Sequence, residues 1–245
     1  MRVRLVVAAL VVLVLAAAAV VVVPIVLATT STGSDRSTGR PGGTTWGPTS
    51  PTPSATPDRT PIRVAVVGDS LSAGSTGFLG NGLDGASWMT YAQGGRVEYV
   101  GGWAHAGATP EQMAAAVRPI AHVDVLVVLA GTNAVRLGAS FEQERSAYDT
   151  IVRTVAPRRV IVSSIPPYLP NPQGALRYNR LMRAYVQSHG WDWFDAWAFA
   201  RDGDRWKPGF SKDGVHPGSH AGYRALGRTF RWEILAQAGS AASAG

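Results

Sequence analysis

Between residues 61 and 238 the apolar positions alternate between two patterns. Short, nearly unbroken aliphatic runs occur at Ile62–Val67 (ending in Gly68), Val97–Val100, Val123–Leu129, Arg159–Ser163 and Trp191–Phe194. Their length and β-branched content predict buried strands. Between them lie segments with helical start signals or helical spacing. Thr109-Pro110-Glu111 supplies an N-cap, a proline at the first helical position and an acidic first turn, for a helix reaching about Val117. Ser140 is placed to cap Phe141–Val155, while Leu176, Leu181, Tyr185 and Val186 mark Ala175–His189 as helical. Ala221–Ala238 closes the segment as a last helix. Strands alternating with helices predict an α/β fold, a parallel sheet of about five strands covered by helices on both faces. Ligands of such sheets gather beyond the C-terminal strand ends.

The first sixty residues follow neither pattern. Arg2 and Arg4 precede Leu5–Leu27, 23 residues without a charge, long enough at 1.5 Å per residue to cross a bilayer's apolar core. The length suits an uncleaved signal anchor; the small-residue site Val26-Leu27-Ala28 suits a cleaved signal peptide. Both readings of residues 1–28 place the rest outside the cytoplasm, either membrane-anchored by the N-terminal helix or secreted. Residues 29–60 hold 15 Ser/Thr and five prolines, with Trp46 as the only large apolar side chain. That composition predicts a disordered tether, leaving 61–245 as the folded domain.

Charge and cysteine content remove several function classes. The chain has no cysteine, which excludes disulfide scaffolds, thiolate metal sites and thiol nucleophiles. Its formal charge is +7, but residues 60–245 carry 18 basic and 14 acidic side chains, and the basic ones are scattered. A nucleic-acid face is therefore not expected. His216 and His220 have H-x-x-x-H spacing, but Pro217 and Gly218 interrupt any shared helix face, so no metal is expected. Gly80–Gly85 matches G-x-G-x-x-G without directly following a strand, which reads as a loop bordering the Ser70 region rather than a dinucleotide site.

The residues with chemical potential sit at strand ends. Gly68-Asp69-Ser70-Leu71 follows the first strand, Gly107 the second, and Gly131-Thr132-Asn133 the third, while Asp213-Gly214-Val215-His216-Pro217 precedes the last helix. Ser70 supplies a hydroxyl, His216 a base, and Asp213, three residues earlier, an acceptor able to fix the imidazole tautomer. Read singly, Ser70 is a helix cap, Asn133 a loop cap, and Asp213-Gly214 a turn. No G-x-S-x-G elbow is present.

Taken in order, the Ser, Gly, Asn and His blocks resemble the SGNH (GDSL-type) hydrolase family over residues 62–238. The resemblance implies a three-layer α/β/α fold around a flavodoxin-like parallel sheet of about five strands, and a serine esterase without cofactor or metal. Its catalytic residues would be Ser70, Asp213 and His216, with an oxyanion hole from the Ser70 and Gly107 backbone N–H groups and the Asn133 amide. Asp69 would pin the turn. Two departures stand out: Ala134 replaces the aspartate often found after the asparagine, and Ala104-His105-Ala106 precedes Gly107 where an asparagine is common. Gly107, rather than Gly101 or Gly102, is the glycine expected to serve.

Expected substrates are small esters or acylated glycans: O-acetyl-carbohydrate or short-chain lipid-like esters. Trp206, in the polar stretch Arg201–Lys212, and Tyr168, in Pro166–Pro170, are the expected substrate contacts; Trp191 and Trp193 read as core. An O-acyltransferase acting on wall polysaccharide and a non-catalytic wall-binding module are the alternatives. The membrane is a partner only through the N-terminal segment if it stays uncleaved.

Overall fold

The computed structural model describes residues 60–242. The signal segment and most of the expected tether therefore lie outside the described residues. Among the described residues no helix is long and apolar enough to cross a membrane.

Five parallel strands form one sheet: β1 (Ile62–Gly68), β2 (Val97–Ala104), β3 (Val125–Leu129), β4 (Arg159–Ser163) and β5 (Asp192–Phe194), in the order β2-β1-β3-β4-β5. This is the expected flavodoxin-like order, with the chain reversing its direction of winding at β1 and β3. The helices are α1 (Ser70–Ala73), α2 (Met89–Ala92), α3 (Pro110–Ala116), α4 (Thr132–Leu137), α5 (Phe141–Val155), α6 (Pro172–Ser188) and α7 (His220–Ala242), with a 3₁₀ turn at Leu79–Asn81.

Strand alternation sorts the core into two layers. Ala65, Val67, Leu126, Val128, Val160 and Val162 pack with Met113 of α3, Tyr148 and Ile151 of α5, and Tyr178 and Met182 of α6. Val64, Val66, Val125, Val127, Leu129 and Ile161 pack on the other side with Met89 of α2 and Leu226, Phe230 and Ile234 of α7. Thr109 with Gln112, and Ser140 with Gln143, close reciprocal capping boxes at the starts of α3 and α5. Each such cap is worth about 1 kcal/mol.

The boundaries depart from the sequence reading where glycine and local caps decide. The second strand continues through Gly101 and Gly102 to Ala104, with a register slip that sets Tyr99 beside Val64 and Gly101 beside Ala65. A Cβ on Gly102 would run into the Val66 carbonyl, so this close approach needs the glycine. The third strand starts at Val125, because Asp124 turns its carboxylate onto the Arg63 N–H (2.9 Å). The α6 helix starts at Pro172, three residues early, because the Asn171 side chain accepts from the Gly174 N–H. The stretch after Arg201, expected to be a loop, contains a short antiparallel hairpin, β6 (Arg201–Asp202) and β7 (Arg205–Trp206).

Candidate active site

Ser70 stands where β1 turns sharply into α1. A Cβ on Gly68 would lie 2.6 Å from Ser72 Oγ and 2.9 Å from the Leu129 carbonyl, so the turn has no room for a side chain there. Asp69, fully buried, caps α1 by accepting the Leu71 N–H at 3.0 Å. The Trp88 indole N–H donates to Ser72 Oγ (2.9 Å) and the Ser87 hydroxyl to the Ser72 carbonyl (2.8 Å), anchoring the short helix that presents Ser70. Burial pushes the Asp69 carboxyl up to about 6, against the opposing effects of the Leu71 hydrogen bond and the nearby His216.

His216 reaches Ser70 from the opposite end of the chain. Its Nε2 lies 2.8 Å from Ser70 Oγ and its Nδ1 2.7 Å from Asp213 Oδ2. The other Asp213 oxygen accepts the backbone N–H groups of Val215 (2.9 Å) and His216 (2.8 Å) and the Ser211 hydroxyl (3.2 Å). Partial burial raises the Asp213 carboxyl, but these hydrogen bonds and the imidazole together outweigh it and hold the group well below the usual carboxylate range. With Asp213 ionised, Nδ1 carries the proton and Nε2 is free to accept from Ser70. Leu169 supports this loop: its N–H donates to the Gly214 carbonyl at 3.0 Å, and its side chain occupies the space a Cβ on Gly214 would need.

Two backbone donors border Ser70 without a protein acceptor. Among the described residues, neither the Ser70 N–H nor the Gly107 N–H donates to one. The loop holding Gly107 is brought alongside the Ser70 turn by the His105 N–H, which donates to the Gly68 carbonyl at 3.2 Å. Gly107 has φ +81° and open space where a Cβ would be. The third candidate donor, Asn133, stands on α4, a helix that the sequence reading left as loop. Its Nδ2 donates to the Ala108 carbonyl (3.1 Å) and makes a long 3.5 Å contact with Asp69 Oδ2. Gly131 sets up this helix at φ +120°, with the Tyr178 ring filling the place of a Cβ. Beneath it the Tyr148 hydroxyl donates to the Ala130 carbonyl at 3.1 Å and meets the Tyr178 hydroxyl at 3.2 Å.

Ser70, Gly107, Asn133, Tyr168 and His216 line one cleft of about 300 Å³, together with Ala106, Thr132, Arg136 and Val215. Arg136 and Thr132 escaped the sequence reading. The available signal was helical spacing from Asn133, but α4 itself was not foreseen. Across Ala106 and Gly107 the cleft adjoins a second hollow of about 410 Å³, lined also by Trp103, His105 and Gln112. Trp103 and His105 stack with centroids 6.0 Å apart, and Phe78 meets both.

Two expectations need correction. Trp206 does not line the cleft; it packs edge-on against Trp197 at 5.4 Å, because the β6–β7 hairpin turns it toward the α7-side core. The 80–85 loop does not line it either: Asp84 ties the loop to the end of α1 by accepting from the Ser75 N–H (2.8 Å), the Ser75 hydroxyl (2.6 Å) and the Ala86 N–H (2.8 Å). His220 opens α7 and sits against Gly85. A separate hollow of about 630 Å³, between Phe194, Phe199 and Trp232, contains none of these site residues.

A sequence model of the GDSL-like Lipase/Acylhydrolase family matches residues 66–225. The chain belongs to that family. This GDSL-type protein is accordingly an SGNH serine hydrolase of ester substrates. Among curated proteins, none matches its sequence. Solved structures of the same fold include a family 3 carbohydrate esterase from Clostridium thermocellum, 18% identical with TM-score 0.53, covering 73% of this chain and 99% of that one. A GDSL-like lipase from Bacteroides thetaiotaomicron is 16% identical with TM-score 0.52, covering 72% and 89%. A member of the lipolytic G-D-S-L family from Veillonella parvula is 17% identical with TM-score 0.52, covering 68% and 94%.

Proposed function

We propose that this GDSL-type hydrolase is exported and removes small acyl groups, O-acetyl on carbohydrate foremost, through an acyl-Ser70 intermediate. The observation that carries the mechanism is the continuous Ser70–His216–Asp213 relay, at 2.8 and 2.7 Å, opening into a small cleft. His216 Nε2 takes the Ser70 proton as Oγ attacks the ester carbonyl, and returns it to the departing alkoxide. The Ser70 and Gly107 N–H groups and the Asn133 amide stabilise the oxyanion. Water, deprotonated by the same imidazole, then releases the acid.

Two features support a short acyl group on a sugar. The catalytic cleft is small, and it continues onto the Trp103–His105 surface, where an aromatic face and the Gln112 amide suit a pyranose. Export rests on the charged start and apolar 5–27 segment of the sequence. The deciding experiment is hydrolysis of esters with graded acyl chains, with and without a sugar acceptor, alongside a fluorophosphonate probe. Ser70 should be labelled, acetyl should be preferred, and water should be the acceptor. Labelling elsewhere, with full activity in Ser70→Ala, overturns the mechanism; acyl transfer to the sugar makes the protein an O-acyltransferase instead.

A further inference from the structure

Thr132 and Arg136 stand four residues apart on α4, on one helix face, and both line the catalytic cleft. Neither belongs to the Ser70–His216–Asp213 relay, and Arg136 meets the oxyanion donors only through its Nε bond to Asn133. Thr132 is only 3% exposed, yet its hydroxyl has no hydrogen-bond partner. Buried hydroxyls are ordinarily paired, so an unpaired one on a residue that lines the cleft is an unusual feature of this wall. Arg136 commits only Nε, which donates to Asn133 Oδ1 at 3.0 Å. Among the described residues no carboxylate pairs with it. Its Nη edge is thus an uncommitted planar donor at the cleft, the geometry that binds carboxylate or phosphate oxygens in pairs. No residue that lines the cleft carries a carboxylate.

We propose that Thr132 and Arg136 form an anion subsite, so that the preferred ester carries a carboxylate or phosphate close to the scissile bond. The inference rests on the esterase reading above and narrows its substrate class. The anion sits either on the acyl part or on the alcohol part, and the guanidinium contacts it while the Thr132 hydroxyl adds a hydrogen bond.

Two matched substrate pairs test this. On the acyl side they are the 4-nitrophenyl esters of adipic acid and of its monoamide; on the alcohol side, 3-acetoxybenzoate and 3-acetoxybenzamide. The readout is the ratio of kcat/KM, anionic over neutral, within each pair. Wild-type protein should favour the anion by about tenfold or more in one pair, which identifies the part that carries the charge. Arg136→Gln should bring that ratio to about one, Arg136→Lys should retain part of it, and added salt should weaken it. Any loss of Asn133 orientation in Arg136→Gln affects both members of a pair and cancels in the ratio. A wild-type ratio near one in both pairs, or a preference that survives Arg136→Gln, overturns the subsite. Hydrolysis of the neutral esters with no anion preference leaves the esterase reading standing and this inference refuted. An inactive protein unlabelled at Ser70 refutes both.

Discussion

Arg136 Nε donates to Asn133 Oδ1 across 3.0 Å and so decides which end of the Asn133 amide faces the catalytic centre. With Oδ1 held by the guanidinium, Nδ2 is turned toward the Ala108 carbonyl and Asp69. One Nδ2 hydrogen is well occupied at 3.1 Å, while the other makes only the long 3.5 Å contact. In the proposed mechanism that second hydrogen meets the developing oxyanion, and a charge-assisted bond to Oδ1 would make it a better donor.

Asn133→Ala should therefore lower kcat by about 10²–10³-fold with little change in KM, because the lost donor acts where charge develops. Loss of the Ala108 hydrogen bond should cost only about 1 kcal/mol of stability. Steady-state kinetics on an aryl acetate, with a parallel melting curve, checks both. Turnover within about threefold of wild type would remove Asn133 from the mechanism.

Asp213→Asn should cut kcat by about 10³–10⁴-fold in a folded protein, since tautomer and charge support for His216 are lost together. Hydrogen bonds hold the Asp213 carboxyl below its ordinary value of 3.8. Its stabilising contribution is present above that ordinary value and is lost only as pH falls through the lower folded value. Loss of wild-type activity between pH 5 and pH 7 should thus not reflect Asp213 titration. A pH–rate profile and a melting curve of the variant test this; unchanged kcat would mean that another group orients His216.

Asp69 should make the protein less stable as pH rises from about 4 to about 6. Its folded value of about 6 lies above the ordinary 3.8, so the folded state binds its proton more tightly across that window. The contribution is complete below the unfolded value and gone above the folded one, and its size is on the order of 3 kcal/mol. In Asp69→Asn, which keeps an acceptor for the Leu71 N–H, the drop in urea stability from pH 4 to pH 7 should shrink by about that amount. Equal drops in the two proteins would show that Asp69 does not carry the effect.

Gly131→Ala and Gly138→Ala form a controlled pair. Both glycines have positive φ, +120° and +78°, but only Gly131 has the Tyr178 ring where the Cβ would go; Gly138 has open space. Gly138→Ala should cost about 1 kcal/mol through backbone strain alone. Gly131→Ala should cost about 3 kcal/mol or more and lower kcat as well, because it displaces α4 and with it Asn133. Equal melting temperatures for the two variants would contradict this.

Trp103→Ala should raise KM for an acetylated sugar by about tenfold and leave that for a small aryl acetate within about twofold, since only the sugar reaches the second hollow. Equal effects on both substrates would remove Trp103 from sugar recognition.

Period and local chemistry made much of this protein legible before any coordinates. Unbroken aliphatic runs such as Val64–Val67 and Val125–Leu129 can only be buried on both faces, which demands helices on each side of a parallel sheet. Capping signals at Thr109 and Ser140 act within a single turn, so the starts of α3 and α5 are visible in a few residues. The serine, aspartate and histidine were recognisable because each sits in a short local motif. What the sequence left open depends on contacts between distant segments. Gly101 and Gly102 look like a strand end until the register with Val64–Val66 carries β2 past them. Trp206 looks like an exposed substrate contact until a two-residue hairpin turns it onto Trp197. Arg136 carries no local mark of function. Its place at the cleft is decided by the Gly131 turn, the Tyr178 ring that fills the space beside it, and the meeting of β1 and β3 strand ends. Close packing and side-chain hydrogen bonding across 60 to 150 residues of chain are properties of the assembled layers, and no window of sequence contains them.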